Sequence, residues 1–144
     1  MKGFFFLLIL MVSVGSFSQD KINVKYKKGL IYVNKVAWAK YEYAAGKTFI
    51  STIAGVEFVS MKQFEYGSGN YDRYTGAEYM NYYYEVHFFK SDIVAFEVDA
   101  GSSEIYYLME KLKVLENDNF NLANAIEFKN RYAGNVSEKV FLTK

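Results

Sequence analysis

The chain has 144 residues, a formal net charge of +1 and neither cysteine nor proline. That length suits one domain with one core, and without cysteine no disulfide frame, thiol nucleophile or cysteine-ligated metal is open to it. Near-neutrality gives it no global attraction to nucleic acid or to an anionic bilayer, while 19% aromatic content supplies the buried area that a domain without cross-links needs.

The first element is a leader. In "MKGFFFLLILMVSVGSFSQD" Lys2 is the positive start, Phe4 to Val12 the apolar stretch, and Ser16 and Ser18 the small residues that precede a signal-peptidase cut. Cleavage between Ser18 and Gln19 is expected, leaving residues 19–144 as a single β-rich domain. The apolar run is about half the ~20 residues that span a bilayer, so no membrane anchor is expected after cleavage. Export to the periplasm or the medium follows from such a leader, and the lack of cysteine leans toward a bacterial source.

Strands are expected over about residues 21–99, paired through their turns. "GLIYVNKVAWAKYEY" predicts a two-residue hairpin at Asn34-Lys35, and "TFISTIAGVEFVS" another at Ala54-Gly55. The first carries Ile31, Val33 and Trp38 on one face and Leu30, Tyr32 and Tyr41 on the other. A sheet apolar on both faces must be covered twice or curled on itself. In "YYYEVHFFKSDIVAFEVD" a three-residue loop sets Phe89 opposite Ile93. One face then pairs Phe88 with Val94, Val86 with Phe96 and Tyr84 with Val98, and is core. The other sets His87 beside Ala95, Glu85 opposite Glu97 and Tyr83 opposite Asp99.

The apolar period then changes to a helical one. A helix is expected over about 103–116, capped by Ser102 or Ser103, with Ile105, Leu108, Met109, Leu112 and Leu115 as its packing stripe. A second, over about 122–133, starts at Asn121 and stops at Gly134, and the tail beyond is expected as a short edge strand or loose chain. The fold class is therefore α+β: an antiparallel meander of about six to seven strands packed by two C-terminal helices.

Most catalytic chemistries find no residues. There is no GxSxG, no phosphate-cradling glycine motif and only one histidine. "ENDNFN" has calcium-ligand spacing at first, but Leu122 stands where the turn glycine belongs and Phe128 where the bidentate acid belongs. No cofactor is expected. One catalytic alternative stays open, a hydrolase or cation-dependent enzyme: Glu85, Glu97 and His87, with Asp99 nearby, could share a proton or hold a cation, because two carboxylates facing each other across a ladder repel. The expected structural role of the same residues is a solvated face whose repulsion Lys62 offsets.

Residues 66–78 are expected as a glycine-punctuated loop of about a dozen residues, with Tyr66, Tyr71, Arg73 and Tyr74 as candidate binding residues. Tyrosine offers rigid amphipathic contact area at low entropic cost, so a protein partner or a glycan fits such a loop. The two-sided apolar hairpins also suggest a cup for a small apolar ligand. In its "SFSQ" leader end and its "FKNRYAG" segment after an asparagine-capped helix, the chain resembles small exported bacterial proteins of uncharacterised function. That resemblance implies an exported location and no catalytic residues. The expected role is a non-catalytic binding or interaction module.

Overall fold

The computed structural model describes residues 21–142; the leader and its cleavage site lie outside them. Eight strands form one antiparallel sheet: β1 (Val24–Lys27), β2 (Leu30–Val33), β3 (Val36–Ala44), β4 (Lys47–Ser51), β5 (Glu57–Tyr71), β6 (Glu78–Phe88), β7 (Phe96–Val98) and β10 (Ala133–Gly134). The first seven follow chain order as a meander, and β10 closes the far edge beside β7. Helices α1 (Ser102–Lys111), α2 (Leu122–Tyr132) and α3 (Val136–Leu142) come last, with a small hairpin of β8 (Leu115–Glu116) and β9 (Asn119–Phe120) between the first two. The α+β meander is as expected; its eight-stranded sheet exceeds the six to seven strands read from the sequence, and the β8–β9 hairpin and a third helix are additional.

The turns work through backbone sign. Asn34 and Lys35 both adopt positive φ, 50° and 69°, as a two-residue turn matched to strand twist requires. At the β4–β5 hairpin, expected as a two-residue turn at Ala54-Gly55, the loop has three residues. Gly55 (φ 96°) donates its N–H to the Thr52 carbonyl, and Thr52 N–H reaches the Val56 carbonyl. A bulge at Ile50/Ser51 absorbs the extra residue, so Ile50 still lies opposite Val59.

The inner face of the sheet is the core. Ile31, Ile50, Val59, Met61, Val86 and Phe88 are fully buried there. They meet Ile105 and Met109 of α1 and Phe128 of α2, whose ring crosses Phe88 edge-on at 6.2 Å. Burying such a side chain contributes about 1.5–3 kcal/mol. A bulge in β3 turns both Trp38 and Ala39 inward, because Ile31 pairs with Ala39 while Tyr32 pairs with Ala37. The one-residue slip carries Tyr41 to the inner face, not the outer one expected, where it meets Tyr26 edge-on at 5.6 Å. Among the described residues, only the Trp38 Nε1 is a buried side-chain donor without a partner.

The 82–99 segment keeps the expected register, with Tyr84 opposite Val98, Glu85 opposite Glu97 and Val86 opposite Phe96. The ladder stops there. Ser91 donates its hydroxyl to the Phe88 carbonyl and accepts from Ile93 N–H, so a side-chain turn replaces further strand bonds. Val94, expected on the core face, is therefore exposed.

Helix α1 is shorter than expected, and no serine caps it. Gly101 holds the cap position without a side-chain bond, while the Ser102 and Ser103 hydroxyls lie 3.4 and 3.0 Å from the Tyr26 hydroxyl. Leu115 leaves the helical stripe for β8. Asn117 and Asp118 form a positive-φ turn there, and the Asp118 carboxylate accepts from Ile53 N–H (2.7 Å) and Ala54 N–H (3.0 Å), clamping the β4–β5 loop. Asn121 caps α2 as expected by accepting from Asn124 N–H. Gly134 does not stop that helix: extended Ala133 ends it, and the pair joins β7 as an edge strand. The tail after it is helix α3.

Candidate functional site

Strands β5 and β6 outrun their neighbours. β4 last pairs with β5 at Thr48–Met61, and β7 last pairs with β6 at Tyr84–Val98, whereas β5 and β6 stay paired to Gly67–Met80 and again at Tyr71–Glu78. From Met61–Val86 to Tyr71–Glu78 the unbulged partner strand takes eight steps, which carry this ribbon about 26 Å along. The expected loop of about a dozen residues is thus a two-stranded arm with a short tip. Two free edges flank it.

Local contacts explain why so many glycines sit in a strand. Phe64 and Tyr83 stack across the ladder at 5.2 Å and 12°, and Tyr66 leans on Tyr83 at 6.1 Å. Between Gly67 and Tyr71 the first strand carries two more residues than its partner, and Gly69 takes φ 78°. The Glu78 side chain crosses directly over Gly67, where a Cβ would meet its carboxylate at 2.3–2.6 Å, and accepts from Gly69 N–H at 2.9 Å. Gly67 is the position that lets this carboxylate pass.

Asp72 staples the tip. Its carboxylate accepts from the Thr75 and Tyr74 amides at 2.8 and 2.9 Å and from the Tyr79 and Thr75 hydroxyls at 3.0 Å. The Thr75 and Tyr74 N–H groups, followed by the two hydroxyls, hold this carboxyl at about 2, well below the usual range.

The four candidate binding residues therefore separate. Tyr74 is 98% exposed, and Tyr71 and Arg73 are exposed beside it on the tip. Tyr66 is half-buried at the arm's root. There, with Phe64 and Tyr83, it borders a cleft of about 970 Å³ whose far wall is α3. Burial first, then the charges of Glu97 and Glu85, pushes the Tyr83 hydroxyl up.

The opposite, inner side of the root holds a second cleft, of about 570 Å³. Tyr26 from β1, Tyr41 and Tyr43 from β3, Tyr84 from β6 and Tyr106 from α1 line it, with Gln63 and Glu65 on the arm strand. Sequence reasoning passed over these five rings, since four elements deliver them and only the β3 bulge brings Tyr41 inward. Tyr84 donates its hydroxyl to Gln63 Oε1 at 2.9 Å, while burial, ahead of the neighbouring Tyr26, Tyr84 and Tyr41, pushes the Tyr106 hydroxyl up.

The alternative cluster lies on the outer face. Glu85 and His87 share a cleft of about 270 Å³ with Lys47 and Lys62, and Lys62 stands opposite Glu85 on the ladder. The His87 ring meets Phe89 edge-on at 5.2 Å. Glu97 faces Glu85 from the other side but is committed elsewhere, since its carboxylate accepts from Ser137 N–H at 2.9 Å and seats the start of α3. Among the described residues, no three His, Asp or Glu side chains gather as metal ligands, and no helix is long and apolar enough to cross a membrane. No protein-family model, curated protein or solved structure matches the chain.

Proposed function

We propose that the protein is an exported, non-catalytic interaction module that engages a partner through its tyrosine-bearing arm. The observation that carries this reading is the arm itself: a ribbon beyond the sheet on both sides, with Tyr71, Tyr74, Tyr79 and Tyr82 exposed along it. An isolated two-stranded ribbon is marginal in water. This one spends its stabilising contacts, the Asp72 staple and the Phe64–Tyr83 stack, on holding a solvent-facing element in one shape. Pre-organisation of that kind lowers the cost of binding.

A photo-crosslinking residue in place of Tyr74, in cells that export the protein, is expected to yield one discrete adduct. The same residue in place of Lys35, on a distant turn, should yield none, and replacing Tyr71 with serine should abolish the Tyr74 adduct. No adduct, or the same products from both positions, would refute the reading.

A further inference from the structure

We propose that the tyrosine-lined cleft on the inner side of the arm's root is a binding subsite for a neutral saccharide. It lies apart from the tip and rests on the reading of a non-catalytic binding module, not on the tip's own partner.

The inner face of the sheet is covered by helices only over part of its length. Beyond the first turn of α1 it continues as Tyr43, Thr48, Gln63 and Glu65, and Tyr43 is 72% exposed. A ring there contributes little to the core. Its neighbours, by contrast, are held in place. The Tyr26 hydroxyl is bonded to Ser103 at 3.0 Å, its ring stands edge-on to both Tyr41 and Tyr106, and the Tyr84 hydroxyl is fixed on Gln63. The result is an exposed aromatic face beside a rigid aromatic wall.

The lining selects the ligand class. Among the described residues no lysine or arginine borders the cleft, so none of its lining side chains carries the positive charge that an anionic ligand calls for. Thr48, Ser102, Glu65 and the amide NH2 of Gln63, whose oxygen is already used, put donors and acceptors among the rings. A fatty chain would leave those groups without partners. A pyranose ring has an apolar C–H face for a tyrosine and hydroxyls at its rim for such groups, and the volume lies within the range of small-ligand sites. A cationic ammonium group is the rival occupant, through ring faces and Glu65.

The test uses the chain from Gln19 onward, isotope-labelled, titrated separately with chitotriose, maltotriose, xylotriose and choline chloride. At least one trisaccharide is expected to give saturable shifts centred on Tyr43, Thr48, Gln63 and Tyr84. Tyr43→Ala, which removes an exposed ring, should weaken that binding about tenfold or more. Joint Tyr71→Ser and Tyr74→Ser changes should leave it unaltered, which separates this site from the tip. The proposal is overturned if no trisaccharide saturates below about 20 mM. It is equally overturned if the shifts fall elsewhere, if Tyr43→Ala binds unchanged, or if choline alone saturates the cleft.

Discussion

Replacing Glu97 with alanine sets two effects of opposite sign against each other. The carboxylate accepts from Ser137 N–H at 2.9 Å, and a hydrogen bond to a charged acceptor contributes about 1.5–3 kcal/mol, with the lower end suited to this half-buried group. The same carboxylate stands directly opposite Glu85, and like charges so placed cost about 0.2–1 kcal/mol. Lys62 faces Glu85 from the next strand and trims that repulsion further. The anchor therefore outweighs the repulsion, and Glu97→Ala should lose about 1 kcal/mol, or about 3–5 °C in Tm for a domain of this size. Glu97→Gln keeps an acceptor and removes the charge, so it should stay close to the parent. Urea unfolding followed by circular dichroism gives both values, and amide exchange should rise selectively over residues 136–142 in the alanine variant. An alanine variant as stable as the parent, or more so, would refute this reasoning and mark the Glu85–Glu97 pair as strained. That outcome would revive the proton-sharing reading of Glu85, Glu97 and His87.

Other perturbations have equally definite outcomes. The Asp72 staple lowers its carboxyl to about 2, so its contribution to tip order is complete above an unfolded value of about 3.9 and is lost as pH falls through about 2. The Tyr74 and Thr75 amide shifts should report that low midpoint, and one near 4 would contradict the staple. Phe128→Ala empties a fully buried site between Phe88 and Phe96 and should cost about 3–5 kcal/mol in urea unfolding; a cost below about 1 would place this ring outside the core. Tyr106, held neutral by burial, leaves stability unaffected below about pH 10 and removes it as pH rises further. Tyr106→Phe should flatten that alkaline decline, and an unchanged decline would assign it to other groups.

Much of the sheet could be read in advance because short turns fix strand pairing by arithmetic. The Asn34-Lys35 turn set its first two pairs that way, Val33 with Val36 and Tyr32 with Ala37, while the 82–99 segment kept its register through three pairs although the expected three-residue loop did not form. What escaped were places where one extra residue or one side chain overrides the period. The bulge beside Trp38 moved Tyr41 across the sheet, and the Ser91 hydroxyl ended the ladder before Val94 could join it. The arm was hidden for a related reason. Gly67, Gly69 and Gly76 have the spacing of a loop, yet the Phe64–Tyr83 stack and the Glu78 side chain across Gly67 hold the first two in a ribbon, and only Gly76 lies in the tip turn. Of the candidate binding residues, only the tip group of Tyr71, Arg73 and Tyr74 stayed together, because contacts between Tyr66 and Tyr83 are set by strand pairing and not by sequence distance.

Nuclear Overhauser contacts across the β5–β6 ribbon probe its existence without any ligand. An ordered arm gives cross-strand contacts linking Phe64 to Tyr83, Tyr66 to Asn81 and Gly67 to Met80, together with strand-like shifts out to Tyr71. Coil-like shifts from 65 to 82, with no contact across those pairs, would dissolve the arm and the interaction role built on it.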